Sequence, residues 1–87
     1  MKKINLNKLF NFRNKVVLIT GSEGKIGSKI SDLYLNLNSK VYGIDLQSKK
    51  KKDNKKFFQG DIANEKFIKK ILLKILYREK KIDIIIN

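Results

Sequence analysis

Hydrophobic and polar positions follow different rhythms along the chain. Val16-Val17-Leu18-Ile19 is a continuous apolar run rich in β-branched residues, the signature of a strand covered on both faces, since a half-wet strand would alternate. Ile26, Ile30, Leu33 and Leu37 then recur at helical spacing, with Lys29, Asp32 and Asn36 opposite, so one side of a helix is expected to pack on the sheet. Asn38 and Ser39 are stop signals; Lys40 leads into a second strand, Val41-Tyr42-Gly43-Ile44-Asp45. Phe57-Phe58-Gln59 reads as a short third strand. Phe67, Ile68, Ile71, Leu72, Ile75 and Leu76 form the widest helical stripe, with Glu65 at its start and Arg78, Lys80 and Lys81 near its end, where the helix dipole favours each sign. Ile82-Asp83-Ile84-Ile85-Ile86-Asn87 reads as a fourth strand. Strands alternating with helices predict a parallel α/β sheet with right-handed crossovers.

Thr20-Gly21-Ser22-Glu23-Gly24-Lys25-Ile26-Gly27 joins the first strand to the first helix. Three glycines let a ligand approach the backbone without interference from Cβ atoms, and the helix beyond aims free N–H groups and the positive end of its dipole into the same space. Those are the physical requirements of a pyrophosphate site. Asp45 ends the second strand 18 residues past Gly27, near the roughly 20-residue offset of an acid that binds a ribose. The alternative is an ordinary glycine-rich turn with Asp45 capping a strand end.

The spacing is Gly-x-x-Gly-x-x-Gly after Thr, not the commoner Gly-x-Gly-x-x-Gly. Thr20 to Gly27 in this context resembles the short-chain dehydrogenase/reductase family, whose loop is written Thr-Gly-x-x-Gly-x-x-Gly or Thr-Gly-x-x-x-Gly-x-Gly. The resemblance implies a Rossmann-like open parallel sheet, half of a doubly wound fold, in the order 3-2-1-4, over residues 16–87 after a lead-in at 1–15. It implies a dinucleotide held by Gly21, Glu23, Gly24, Lys25, Ile26 and Gly27. Asp45 would accept hydrogen bonds from the adenosine ribose and repel a 2′-phosphate, which favours NAD over NADP. Asp61 and Ile62 match the family's adenine-pocket element, although Asp61 also reads as a cap for the following helix. Asn87 matches the first residue of the family's Asn-Asn-Ala-Gly element.

The family's catalytic Ser and Tyr-x-x-x-Lys lie further along than this stretch. Tyr77-Arg78-Glu79-Lys80-Lys81 has the formal pattern but stands on the helix before the fourth strand, whereas the family's pair sits on a later helix beside the nicotinamide. The chain is therefore expected to supply the cofactor-binding part of an NAD(P)-dependent oxidoreductase and no catalytic residue, as a truncated product. The alternative is a non-catalytic dinucleotide-binding or partner-binding module. With its outer side uncovered, the fourth strand is expected to favour self-association.

Composition narrows this picture. A chain of 87 residues buries only about 60–65% of its unfolded surface, so one small core is the most it builds. Cys and His are absent, which removes thiolate and imidazole metal ligands and a histidine base. The formal charge of +13 invites a nucleic-acid reading, but lysine enrichment runs through the whole chain, and the densest part, the 48–56 loop, reads as solvated surface. These lysines also leave NADP open, because they stand close to Asp45. Only residues 46–56 separate strands two and three, too few for a full crossover helix. Neither a secretory signal nor an apolar segment of about 18 residues occurs, so a cytoplasmic protein without membrane contact is expected.

Overall fold

The computed structural model describes residues 11–47 and 56–87. Most of the lead-in and residues 48–55 of the lysine-rich loop lie outside the described residues. Four strands, β1 (Val16–Thr20), β2 (Lys40–Asp45), β3 (Phe57–Gln59) and β4 (Ile84–Ile86), alternate with two helices, α1 (Lys25–Asn36) and α2 (Glu65–Glu79). The sheet is parallel throughout, in the order β3-β2-β1-β4. This is the expected half of a doubly wound fold.

Because β1 is central, its residues feed both faces. Val16 and Leu18 join Tyr42, Ile44, Ile71 and Ile75 beneath α2, while Val17 and Ile19 join Val41, Ile30 and Tyr34 beneath α1. The unbroken apolar run of β1 reflects this two-sided burial. Asn64 caps α2, its side chain accepting from the Phe67 N–H at 3.1 Å, and Lys80 closes that helix in the left-handed conformation at φ 66°. Phe67 lies over Gly60, where a Cβ would come within 2.4 Å of the ring.

Three sequence expectations need correction. In α1 the buried side is not the Ile26-Ile30-Leu33-Leu37 stripe: Ile26 is 75% exposed and Leu33 56%, and Tyr34 packs beside Ile30 instead. Gly27 sets this phase, since it faces the preceding loop, and the positions three and seven residues later turn inward with it. In α2, Leu76 is largely outside the core. β4 begins at Ile84 rather than Ile82, because Asp83 uses its side chain as well as its backbone on Val16. The carboxylate accepts from the Val16 N–H at 2.8 Å while the Asp83 N–H donates to the Val16 carbonyl at 2.9 Å. That bond, reinforced by Lys81 at 3.1 Å, holds the Asp83 carboxyl below its ordinary range. Phe12, ahead of β1, packs edge-on against Tyr34 of α1, with ring centroids 5.6 Å apart.

Glu79 ties the end of α2 to β2. It accepts from the buried Tyr42 hydroxyl and from Lys40 Nζ at 3.0 Å. The Tyr42 hydrogen bond comes first among the causes that lower the Glu79 pKa, opposed by burial and assisted by Lys40 and Lys56. Burial, followed by the Glu79 contact, raises the Tyr42 pKa against a smaller opposing influence from Arg78.

A folded-state pKa below the unfolded value means stability present above the unfolded pKa, near 4.5 for Glu79, and lost as pH falls through the folded one. Glu79→Gln is therefore expected to flatten the acid side of the stability profile below about pH 5, read from urea midpoints between neutral pH and pH 3; an unchanged acid limb would show that this contact does not hold α2. Ile75 is fully buried, so Ile75→Ala should cost about 2–5 kcal/mol in the same measurement.

Candidate dinucleotide site

The carboxyl end of β1 delivers the chain into a turn that only glycine fits comfortably. Gly21 has φ +69°, a left-handed conformation costly for a residue with a Cβ. Its N–H donates to the Ile44 carbonyl at 2.8 Å, and the Ser22 N–H reaches the same oxygen at 3.3 Å. The loop is thereby stitched to β2. Next, the Glu23 N–H donates to Asp45 Oδ2 at 2.9 Å, while Asp45 Oδ1 accepts from the Gln47 N–H at 3.1 Å. Asp45 thus stands beside the loop and helps to shape it.

Gly24 is the N-cap of α1 and brings no side chain to satisfy the helix start. Its carbonyl receives the Ser28 N–H at 2.9 Å, so the N–H groups of Lys25, Ile26 and Gly27 have no acceptor within the helix. No acid stands in the first turn, and the residue that does, Lys25, adds positive charge to the positive end of the dipole. This arrangement is unfavourable alone and suited to an anion.

The glycines have separable duties. A Cβ on Gly27 would lie 2.0 Å from the Gly21 carbonyl oxygen, so the helix rests on the loop only because that atom is absent. On Gly24 the same oxygen would be 3.3 Å away and no other atom within 4 Å. Apart from that one tight backbone contact nothing crowds Gly24, and a phosphate group fits the helix start by charge and by donor chemistry.

Gly21, Gly24, Lys25, Ile26, Gly27 and Asn87 line one depression, floored by Ile19, Ile30 and Ile86. Thr20 closes it beside β4: its hydroxyl donates to Asn87 Oδ1 at 2.8 Å, an interaction that the sequence reading did not foresee, although Thr20 heads the motif. Glu23 stands with Ser22 in a neighbouring depression between α1 and β2–β3. Ser22 was also missed; its Oγ is buried without a hydrogen-bond partner and lies over Gly43, where a Cβ would come within 2.4 Å. A glycine inside an otherwise bulky strand was the signal available for that close approach. Asp61 and Ile62 follow β3, exposed and outside both depressions, and Asp61 Oδ1 accepts from the Ala63 N–H at 2.9 Å. Among the described residues, no group of three or more His, Cys, Asp or Glu stands ready for a metal.

Tyr77 and Lys81 are at the other edge of the sheet, since α2 runs back against the strands. Tyr77 is 80% exposed, Lys80 Nζ stands 5.0 Å from its ring centroid, and Lys81 pairs with Asp83.

Residues 17–87 match the family described as the NAD dependent epimerase/dehydratase family. The chain is 35% identical over 68 residues to a short chain dehydrogenase, prhI, of Penicillium brasilianum, covering 74% of this chain and 26% of that protein. An uncharacterized oxidoreductase of Schizosaccharomyces pombe is 32% identical over 74 residues, covering 84% of this chain and 29% of that protein. Among solved structures, a short chain dehydrogenase from Leptospira borgpetersenii serovar Hardjo-bovis with bound NAD+ superimposes with a TM-score of 0.79 and 36% identity, over 100% of this chain and 35% of the other. Aldohexose dehydrogenase of Thermoplasma acidophilum, ligand-free, shares the fold at a TM-score of 0.77 and 23% identity, over 86% of this chain and 29% of the other. The chain thus spans about a third or less of the length of these proteins.

The two helix-side glycines should part company on substitution. Gly27→Ala is expected to destabilise the fold by about 1–3 kcal/mol through overpacking, whereas Gly24→Ala should stay within about 0.5 kcal/mol of the parent. Urea denaturation measures both, and equal shifts would contradict the close approach of α1 to Gly21.

Proposed function

The chain belongs to the NAD dependent epimerase/dehydratase family, within the short-chain dehydrogenase/reductases, and on that premise we propose that it binds NAD through the β1–α1 loop as the cofactor-binding part of an NAD-dependent oxidoreductase. One observation carries this reading: α1 begins at Gly24 with no capping side chain and no acid in the first turn, beside a glycine-lined depression, with Asp45 one strand away. The N–H groups of Lys25, Ile26 and Gly27 would take the pyrophosphate, and the Lys25 side chain would add charge to the same pole. Asp45, with Oδ2 already fixed by Glu23, would present its remaining acceptor capacity to the ribose hydroxyls, and its charge opposes a 2′-phosphate. Asp61 and Ile62 would approach the adenine from the end of β3, and Asn87 with Thr20 would border the nicotinamide half of the depression.

When bound, the nicotinamide supplies the position that accepts or releases hydride. The residues on this chain bind and orient. None of them is assigned a proton transfer, and the formal Tyr77–Lys81 pair is on the far edge of the sheet. Among the described residues no helix is long and apolar enough to cross a membrane, in keeping with a cytoplasmic setting. Among the same residues β4 is paired only on its β1 side, and its half-exposed Ile85 offers an edge for a further strand or a second copy.

Isothermal calorimetry of the full chain with NAD tests the reading. Gly24→Val, which places a branched side chain at the helix start, is expected to weaken binding by at least about tenfold, or roughly 1.4 kcal/mol, with the far-UV circular dichroism retained. NADP should bind less tightly than NAD. Equal affinity of parent and variant, or a preference for NADP, would overturn the assignment of the loop or of Asp45 respectively.

A further inference from the structure

The outer face of α2 carries a surface that the dinucleotide reading leaves unused. Leu73, Leu76 and Tyr77 stand at positions i, i+3 and i+4, one contiguous patch, and are 59%, 41% and 80% exposed. Lys69, Lys70 and Lys74 border this patch on the same helix, and all three are exposed. The helix has only two acids. Glu65 is in the first turn, and Glu79 is turned inward to Lys40 and Tyr42.

A face that serves solubility alone mixes signs and avoids large apolar side chains. This one has a single sign around an apolar centre. Lys70 and Lys74 repel at i, i+4, a pair that works against the helix carrying it and is relieved by an opposing negative charge. The geometry points to a docking surface for an acidic amphipathic helix of a partner protein, whose apolar stripe would cover Leu73, Leu76 and Tyr77 while its flanking carboxylates meet the lysines. We propose that α2 is used in this way.

Charge complementarity selects this occupant over others. A second copy of the chain would bring the same lysines to the same patch and be repelled. A phosphate backbone would satisfy the lysines but leave the two leucines without an apolar partner. A helix seated along α2 satisfies both sets, because its own i, i+3 and i+4 positions repeat at the spacing of the patch. The site is at the opposite edge of the sheet from the β1–α1 loop, so both surfaces can be occupied together.

The experiment is fluorescence anisotropy of the full chain with a labelled helical peptide of about four turns, bearing leucines at i, i+3, i+4 and i+7 with glutamates on both sides. A scrambled peptide of identical composition and a single-stranded thymidine oligonucleotide are the other probes, all at about 150 mM salt to suppress non-specific attraction. The amphipathic peptide should bind at least about tenfold more tightly than its scramble. Leu73→Gln with Tyr77→Gln, both exposed and helix-compatible, should remove about tenfold or more, while Lys49 to Lys52 changed together to Ser should lower the affinity far less. Circular dichroism checks that each variant is folded. Equal binding of scramble and peptide, insensitivity to the Leu73 and Tyr77 changes, or tighter binding of the oligonucleotide through Lys69, Lys70 and Lys74 would each overturn the proposal.

Discussion

Much of this structure depends on an atom that is not there. Gly27 lacks a Cβ, so the first turn of α1 settles against the Gly21 carbonyl, and that contact fixes both where the helix begins and how it is rotated. The rotation turns Ile30 and Tyr34 toward the sheet and Ile26 and Leu33 outward. The packing of one face of the sheet and the shape of the depression at the start of α1 are therefore two results of one steric constraint, and a change that relaxes the contact alters both.

Strand identity and order were legible because burial leaves a direct trace in the sequence. The unbroken run at Val16–Ile19 belongs to a strand that feeds two cores, and β2 and β4 flank it, with β3 outside β2, in the expected order. The glycine loop was legible for a related reason, since its requirements are backbone requirements and few residue types meet them. Helix phase in α1 was not. Its apolar positions are spread widely enough to support more than one stripe, and the choice was made by Gly27, a residue with no hydrophobicity to register. The lower boundary of β4 was hidden in Asp83, whose carboxylate pairs with a backbone N–H and so interrupts the ladder where the sequence looked uniformly extended. Side-chain pairings such as Thr20 with Asn87 join residues 67 apart, and local pattern carries no trace of them.

Electrostatics divides the molecule by edge. At the carboxyl edge of the sheet a helix begins without an acid and with a lysine, so positive potential is concentrated on backbone donors. At the amino edge α2 ends among basic side chains, and the acids there are engaged: Glu79 by Tyr42 and Lys40, Asp83 by Val16 and Lys81. Among the described residues most lysines are exposed, while the carboxylates that matter to the fold have defined partners. This explains why the total charge says little about the site, whereas the placement of a few acids says a great deal.

Asp45 has two employers. One carboxylate oxygen holds the Glu23 N–H of the glycine loop and the other the Gln47 N–H just past β2, before any ligand is considered. On the ribose role proposed for Asp45, a shift toward a 2′-phosphorylated cofactor would begin by discarding its negative charge. Here the first step would also take the acceptor from the Glu23 N–H, although Gly21 and Ser22 stay bonded to Ile44, so the viable routes run through residues that keep an acceptor, such as Asn or Ser, before any new cation is recruited. The fold thus narrows the mutational paths by which cofactor preference can drift, independently of how strongly that preference is selected.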